Sequence, residues 1–210
     1  MMIRSRWFPL LMWWLVALPA GPAHAEVPVI LVLGDSLSAA YGIPAEQGWV
    51  SLLQRRLAER GFPHRVVNAS ISGDTSSGGL SRLPATLDRE RPAVVILELG
   101  ANDGLRGQPI PAMATNLARM IELAQQAGAN VLLAEMRIPP NYGPWYTQKF
   151  QAAFGELAGR YRLPLIPFLL EGVAGDPALI QDDGLHPRAE AQPRILDHVW
   201  PVLEPVLRQP

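Results

Sequence analysis

No cysteine occurs anywhere in the chain. That excludes disulfides, thiolate nucleophiles and thiolate metal ligands, so the folded state must rest on its core. Like charges never gather into a block, and the formal net charge is only −1. Electrostatic capture of a polyanion therefore has no source, and no nucleic-acid partner is expected. Neither G-x-G-x-x-G nor G-x-x-x-x-G-K-[ST] is present, which removes the usual dinucleotide and nucleotide-phosphate loops. The G-x-S-x-G frame of the large α/β-hydrolase class is missing as well.

What the chain does contain suits one compact domain: apolar types make up 49% of 210 residues and charged types 18%. The N-terminus reads separately. Arg4 and Arg6 precede the apolar segment WFPLLMWWLVALPA, and Ala23-His24-Ala25 offers small residues where a signal peptidase reads them. The run is short for a membrane span, which takes about 20 apolar residues. We read residues 1–25 as a signal peptide and 26–210 as the exported domain, periplasmic or secreted, with a retained N-terminal anchor as the alternative.

Short apolar runs then alternate with longer amphipathic ones. Val29 to Leu33, Arg65 to Asn68, Val94 to Leu99, Val131 to Met136 and Leu165 to Phe168 read as strands, mostly buried on both faces. Helices are expected at about 47–59, 79–89, 110–127, 145–161 and 189–207; Met113, Leu117, Met120, Ile121 and Ala124 keep the 3.6-residue period. Pro84 either kinks its helix or makes it start late, and Pro193 falls early in the last one. Strand and helix in alternation predict a three-layer α/β/α domain around a parallel five-stranded sheet, in the order 2-1-3-4-5.

In such a sheet ligands lie beyond the carboxyl ends of the strands. The first strand ends in GDSLS, which puts Ser36 there, after Gly34, whose freedom would allow a sharp turn. Gly-Asp-Ser alone is no more than an ordinary helix cap. The other strand ends decide the matter: NASISGDTSSGG supplies Gly73, ELGANDG supplies Asn102, and DDGLHP near the C-terminus supplies Asp183 and His186.

A serine hydroxyl needs a base within hydrogen-bond reach, and the base needs an acceptor that holds its tautomer. His186 fits the first task and Asp183 the second, with Asp182 as the rival acceptor. The backbone N–H groups of Ser36 and Gly73 and the side-chain amide of Asn102 are candidate donors to the oxyanion that acyl transfer creates. His64 and His198 lack an acceptor at comparable spacing and read as surface or packing residues. A metal site on Asp182, Asp183 and His186 would lack further histidines, so none is expected. Glu98 and Glu135, inside apolar runs, are expected to pair with arginines such as Arg137. Leu105, Ile110, Ile138, Tyr142 and Trp145 are candidates for an apolar groove beside Ser36, with ordinary core positions as the alternative.

The blocks GDSLS, SISGDTS, GANDG and DDGLHP resemble those of the SGNH, or GDSL, hydrolase family, across nearly all of residues 26–210. The resemblance implies a flavodoxin-like fold and hydrolysis of esters and thioesters without a cofactor. It implies Ser36 as nucleophile and first oxyanion donor, Gly73 and Asn102 as the other donors, His186 as base and Asp183 as its partner. The expected partner is a small acyl ester or thioester, with room for transient contact with a lipid or membrane surface, and the expected state is a monomer. Two other readings keep the same crevice: an O-acetylesterase of carbohydrate or peptidoglycan, and a lipid-binding module without turnover.

Overall fold

The computed structural model describes residues 27–208. The signal-peptide reading of residues 1–25 lies outside them. Five strands, β1 (Val29–Gly34), β2 (Arg65–Asn68), β3 (Val94–Glu98), β4 (Asn130–Ala134) and β5 (Leu165–Ile166), form one sheet. All four pairings are parallel and the order is β2-β1-β3-β4-β5, as the alternation of elements predicts. β1 and β3 are buried at every position, which is why they read as unbroken apolar runs. β2 lies at an edge and keeps Arg65 and Asn68 exposed.

The described residues form six α-helices around the sheet: α1 (Trp49–Glu59), α2 (Ser76–Glu90), α3 (Ala101–Leu105), α4 (Ile110–Gln126), α5 (Pro144–Tyr161) and α6 (Gln192–Leu207). α1 packs with α6, while α4 packs with α2 and α5, which gives the two outer layers. Each buries one stripe: Leu53 and Leu57 from α1, Leu117 and Ile121 from α4, Ile195 and Leu203 from α6 are fully enclosed. Among the described residues no helix is long and apolar enough to cross a membrane.

Two expectations need correction. α2 begins at Ser76, earlier than expected, because Thr75 Oγ1 accepts the Gly78 N–H at 3.3 Å and caps it. Pro84 therefore sits well inside the helix and does not mark a late start; its missing N–H leaves the Leu80 carbonyl without its helical donor. The second concerns α3, a single short helix over ANDGL that sequence periodicity does not reveal. Asn, Asp and Gly are poor helix formers, and the turn forms because Gly100, at φ +114°, bends the chain as it leaves β3.

The enclosed sheet sets the stability. Leu97→Ala in β3, where the side chain has no exposure, is expected to cost about 2–5 kcal/mol. Trp145→Ala, at a ring that is 67% exposed, should stay within about 0.5 kcal/mol. Denaturant unfolding of the two variants measures both.

Candidate active site

Parallel register brings the strand ends to one rim. Gly34 is the register partner of Glu98, so the loops after β1 and β3 leave the sheet side by side. The segment after β2 continues alongside β1: the Ala69 N–H donates to the Val32 carbonyl at 2.9 Å, and the Ile71 N–H to the Gly34 carbonyl at 3.1 Å. Gly73 follows two residues later at φ +80°, a left-handed conformation that favours glycine.

After β1 the chain makes one helical turn. The Ala39 N–H donates to the Asp35 carbonyl at 2.9 Å, and the Leu37 N–H to Asp35 Oδ1 at 3.1 Å. This leaves Ser36 at the apex. Its Oγ lies 2.9 Å from His186 Nε2, and His186 Nδ1 lies 2.6 Å from Asp183 Oδ2. The partners assign the tautomer: Nδ1–H donates to the carboxylate, and Nε2 accepts from the serine hydroxyl. Ser36 is thus joined in series to a pair that begins 147 positions further along the chain, with His186 itself 150 positions away.

The loop that carries His186 is folded on itself. The Gln181 N–H donates to the His186 carbonyl at 2.7 Å and the Arg188 N–H to the Leu179 carbonyl at 2.7 Å, closing an antiparallel bridge between Ile180 and Pro187. Asp183 Oδ1 accepts the backbone N–H groups of Leu185 at 2.9 Å and His186 at 3.0 Å. Partial burial works against the Asp183 charge, yet these bonds and the imidazole outweigh it and lower its pKa to about 2. Asp182, the rival acceptor, instead meets Arg188 at 2.6 Å on the surface.

The oxyanion candidates lie on the loops that leave this same rim of the sheet. Among the described residues, neither the Ser36 N–H nor the Gly73 N–H donates to a protein acceptor. Asn102, on α3, donates through Nδ2 to Asp35 Oδ2 at 3.0 Å, which fixes the amide and leaves its second N–H free. Arg106 donates to the Gly73 carbonyl at 2.9 Å and so steadies that peptide.

Beside Ser36 opens a cavity of about 500 Å³. Leu105 and Ile138 line it, whereas Ile110 packs against the core, Tyr142 hydrogen-bonds the Leu105 carbonyl and Trp145 lies out in solvent against Lys149. Met136, Phe168, Leu170 and Ile180 complete the apolar wall and were not legible as such. Tyr41 was also missed; its ring lies 4.4 Å from that of His186, centroid to centroid, on the solvent side. His198 bonds the Glu171 carbonyl, and burial lowers the pKa of His64, whose Nδ1 has no partner.

Glu98 departs from expectation. Glu135 does pair with Arg137, at 2.9 Å. Glu98 has no exposure and no arginine: its Oε2 accepts the Asp35 N–H at 3.2 Å and lies 2.5 Å from Ser38 Oγ. The same carboxyl explains Gly34. That residue is extended, with no positive φ, and is glycine because a Cβ there would collide with Glu98 Oε2 and come within 2.9 Å of Ser38. Close approach, and not a sharp turn, is its role.

A model of the GDSL-like lipase/acylhydrolase family matches residues 32–193. The chain is 53% identical to the Pseudomonas aeruginosa protein named esterase TesA, over 88% of this chain and 92% of that one. It is 43% identical to the Escherichia coli K12 protein named thioesterase 1/protease 1/lysophospholipase L1, over 87% and 86%. The solved structure of esterase EstA from Pseudoalteromonas sp., inhibited by monoethylphosphonate, superposes with a TM-score of 0.82 at 44% identity, covering 86% of this chain and 99% of that one.

The carboxylate of Asp183 should stay ionised far into acid. Its carboxyl carbon, followed by NMR, is expected to titrate with a midpoint at about 2; a midpoint near the ordinary aspartate value of about 3.9 would show that the hydrogen bonds described do not hold it in solution.

Proposed function

The chain belongs to the GDSL-like lipase/acylhydrolase family and hydrolyses esters and thioesters, and we propose that it does so through an acyl-enzyme on Ser36. The observation that carries this reading is the series of contacts from Ser36 Oγ to His186 at 2.9 Å and from His186 to Asp183 at 2.6 Å, opening onto an apolar cavity.

Substrate enters with its acyl chain in the cavity and its carbonyl carbon beside Ser36. His186 Nε2 takes the hydroxyl proton as Oγ attacks, and Asp183, held ionised, stabilises the imidazolium. The negative charge that gathers on the carbonyl oxygen is met by the N–H groups of Ser36 and Gly73 and the free N–H of Asn102. The intermediate collapses, the alcohol or thiol leaves with the proton from His186, and the acyl group stays on Ser36. His186 then takes a proton from water, hydroxide adds to the acyl carbon, and a second collapse returns the proton to Ser36 and releases the carboxylic acid. A wall of Met136, Ile138, Phe168 and Leu170 favours a hydrocarbon acyl group over the acetyl group of a sugar ester.

Ser36→Ala is expected to abolish the burst of product from a short-chain aryl ester and labelling by a fluorophosphonate, with kcat reduced about 10⁴-fold or more and the circular dichroism unchanged. Labelling that survives the substitution would contradict the assignment. We further propose that the protein is exported and that residues 1–25 are removed. Sequencing of the mature N-terminus should begin at Glu26, and a chain that still begins at Met1 would contradict this.

A further inference from the structure

Two carboxyl groups lie buried directly behind the oxyanion donors, and the chemistry above uses neither. Asp35 is 1% exposed and Glu98 not at all. Glu98 Oε1 has no hydrogen-bond partner, while Oε2 meets the Asp35 N–H and Ser38 Oγ. A carboxylate enclosed with one oxygen unpartnered costs far more than a neutral acid in the same place. Asp35 is better provided: Oδ1 accepts the Leu37 N–H, and Oδ2 accepts the Asn102 amide.

Among the described residues no arginine or lysine pairs with either carboxyl. Arg82, which reaches in from α2, pairs with Asp74 and donates to the carbonyls of Ala69 and Gly34. Asp103, on α3, is engaged by the N–H and hydroxyl of Ser76. From the C-terminal loop only His186 acts on Asp35, favouring its charge.

We propose that Asp35 and Glu98 share a single proton, carried by Glu98, and that the pair positions the oxyanion donors: Glu98 anchors the turn that presents the Ser36 N–H, and ionised Asp35 orients the Asn102 amide. This rests on the hydrolytic reading above. Burial and the neighbouring Asp35 charge both push the Glu98 carboxyl well above its ordinary range, so it keeps its proton at neutral pH. Burial raises Asp35 as well, but the bonds from Leu37 and Asn102 limit it to about 6. Asp35 is thus ionised above that pH and takes up a proton below it, when the Asn102 amide loses an anionic acceptor. The imidazolium formed during acyl transfer strengthens the Asp35 charge at the moment the donors are needed.

The infrared spectrum of the full chain at neutral pH should contain a protonated-carboxyl band that shifts when glutamate alone is labelled with carbon-13. Absence of such a band overturns the proposal. In kinetics with an aryl ester, Asp35→Asn should lower kcat about 10²-fold with KM little changed, since an amide has one acceptor oxygen where the carboxylate accepts at two. Because Asp35 acts through Asn102, the double variant with Asn102→Ala should lose no more than Asn102→Ala alone; losses that multiply overturn the proposal. Just below about pH 6, log kcat/KM of the parent should fall through an extra step of about 10²-fold that is missing in Asp35→Asn, and the same step in both proteins counts against the proposal. Ser36→Ala separates the two failures: turnover without that hydroxyl defeats the hydrolytic reading itself, whereas loss of turnover together with a missing band defeats only the shared proton.

Discussion

Gly34 beside Glu98 in the parallel register of β1 and β3 is the pairing on which the rest of the site depends. The absent Cβ of Gly34 makes room for the Glu98 carboxyl, the carboxyl holds the first N–H of the turn, and the turn presents Ser36. A slip of one residue between the strands would turn Glu98 to the opposite face of the sheet and take the anchor away. An ordinary structural feature, the in-register end of two parallel strands, thus becomes the reference frame for the chemistry.

The site is built from parts of unlike rigidity. Ser36 and Asn102 leave strands that are wholly buried, so their backbones are tied to the core. Asp183 and His186 sit on an exposed loop whose base, Leu179 and Ile180, is packed into the core and whose tip is closed by its own bonds, the Ile180 to Pro187 bridge and the Asp183 carboxylate on two backbone N–H groups. The acceptor of the imidazole therefore also folds the loop that carries it. Burial is divided in the same way: Asp183 is near solvent and held charged by hydrogen bonds, whereas Glu98 is enclosed and held neutral.

Much of this was legible in the sequence where the determinants are local. Alternating apolar runs and amphipathic segments carry the three-layer fold, and the spacing of Asp183 and His186 carries their contact, because three residues span one turn. Long-range determinants were not legible. The polar residue within VVILELG marks Glu98 as an anomaly, but its partner follows from strand register and so was expected to be an arginine. The apolar wall combines Met136 and Ile138 with Phe168 and Ile180, whose approach depends on how two loops pack over β4 and β5. Trp145 and Tyr142 mislead for the opposite reason: aromatic residues after a strand end look like a groove, and here one points into solvent and the other braces a backbone carbonyl. The helix over ANDGL escapes notice because its residues favour it weakly and tertiary contacts impose it.

The central claim is that nucleophile, base and oxyanion donors converge on one acyl carbon. A crystal structure of the protein inactivated with an alkyl phosphonate tests this most directly, since the tetrahedral phosphorus imitates the intermediate. The account predicts phosphorus bonded to Ser36 Oγ, with the phosphoryl oxygen within hydrogen-bond distance of the N–H groups of Ser36 and Gly73 and of Asn102 Nδ2. Phosphorus on another residue, or a phosphoryl oxygen turned away from all three donors, would contradict it.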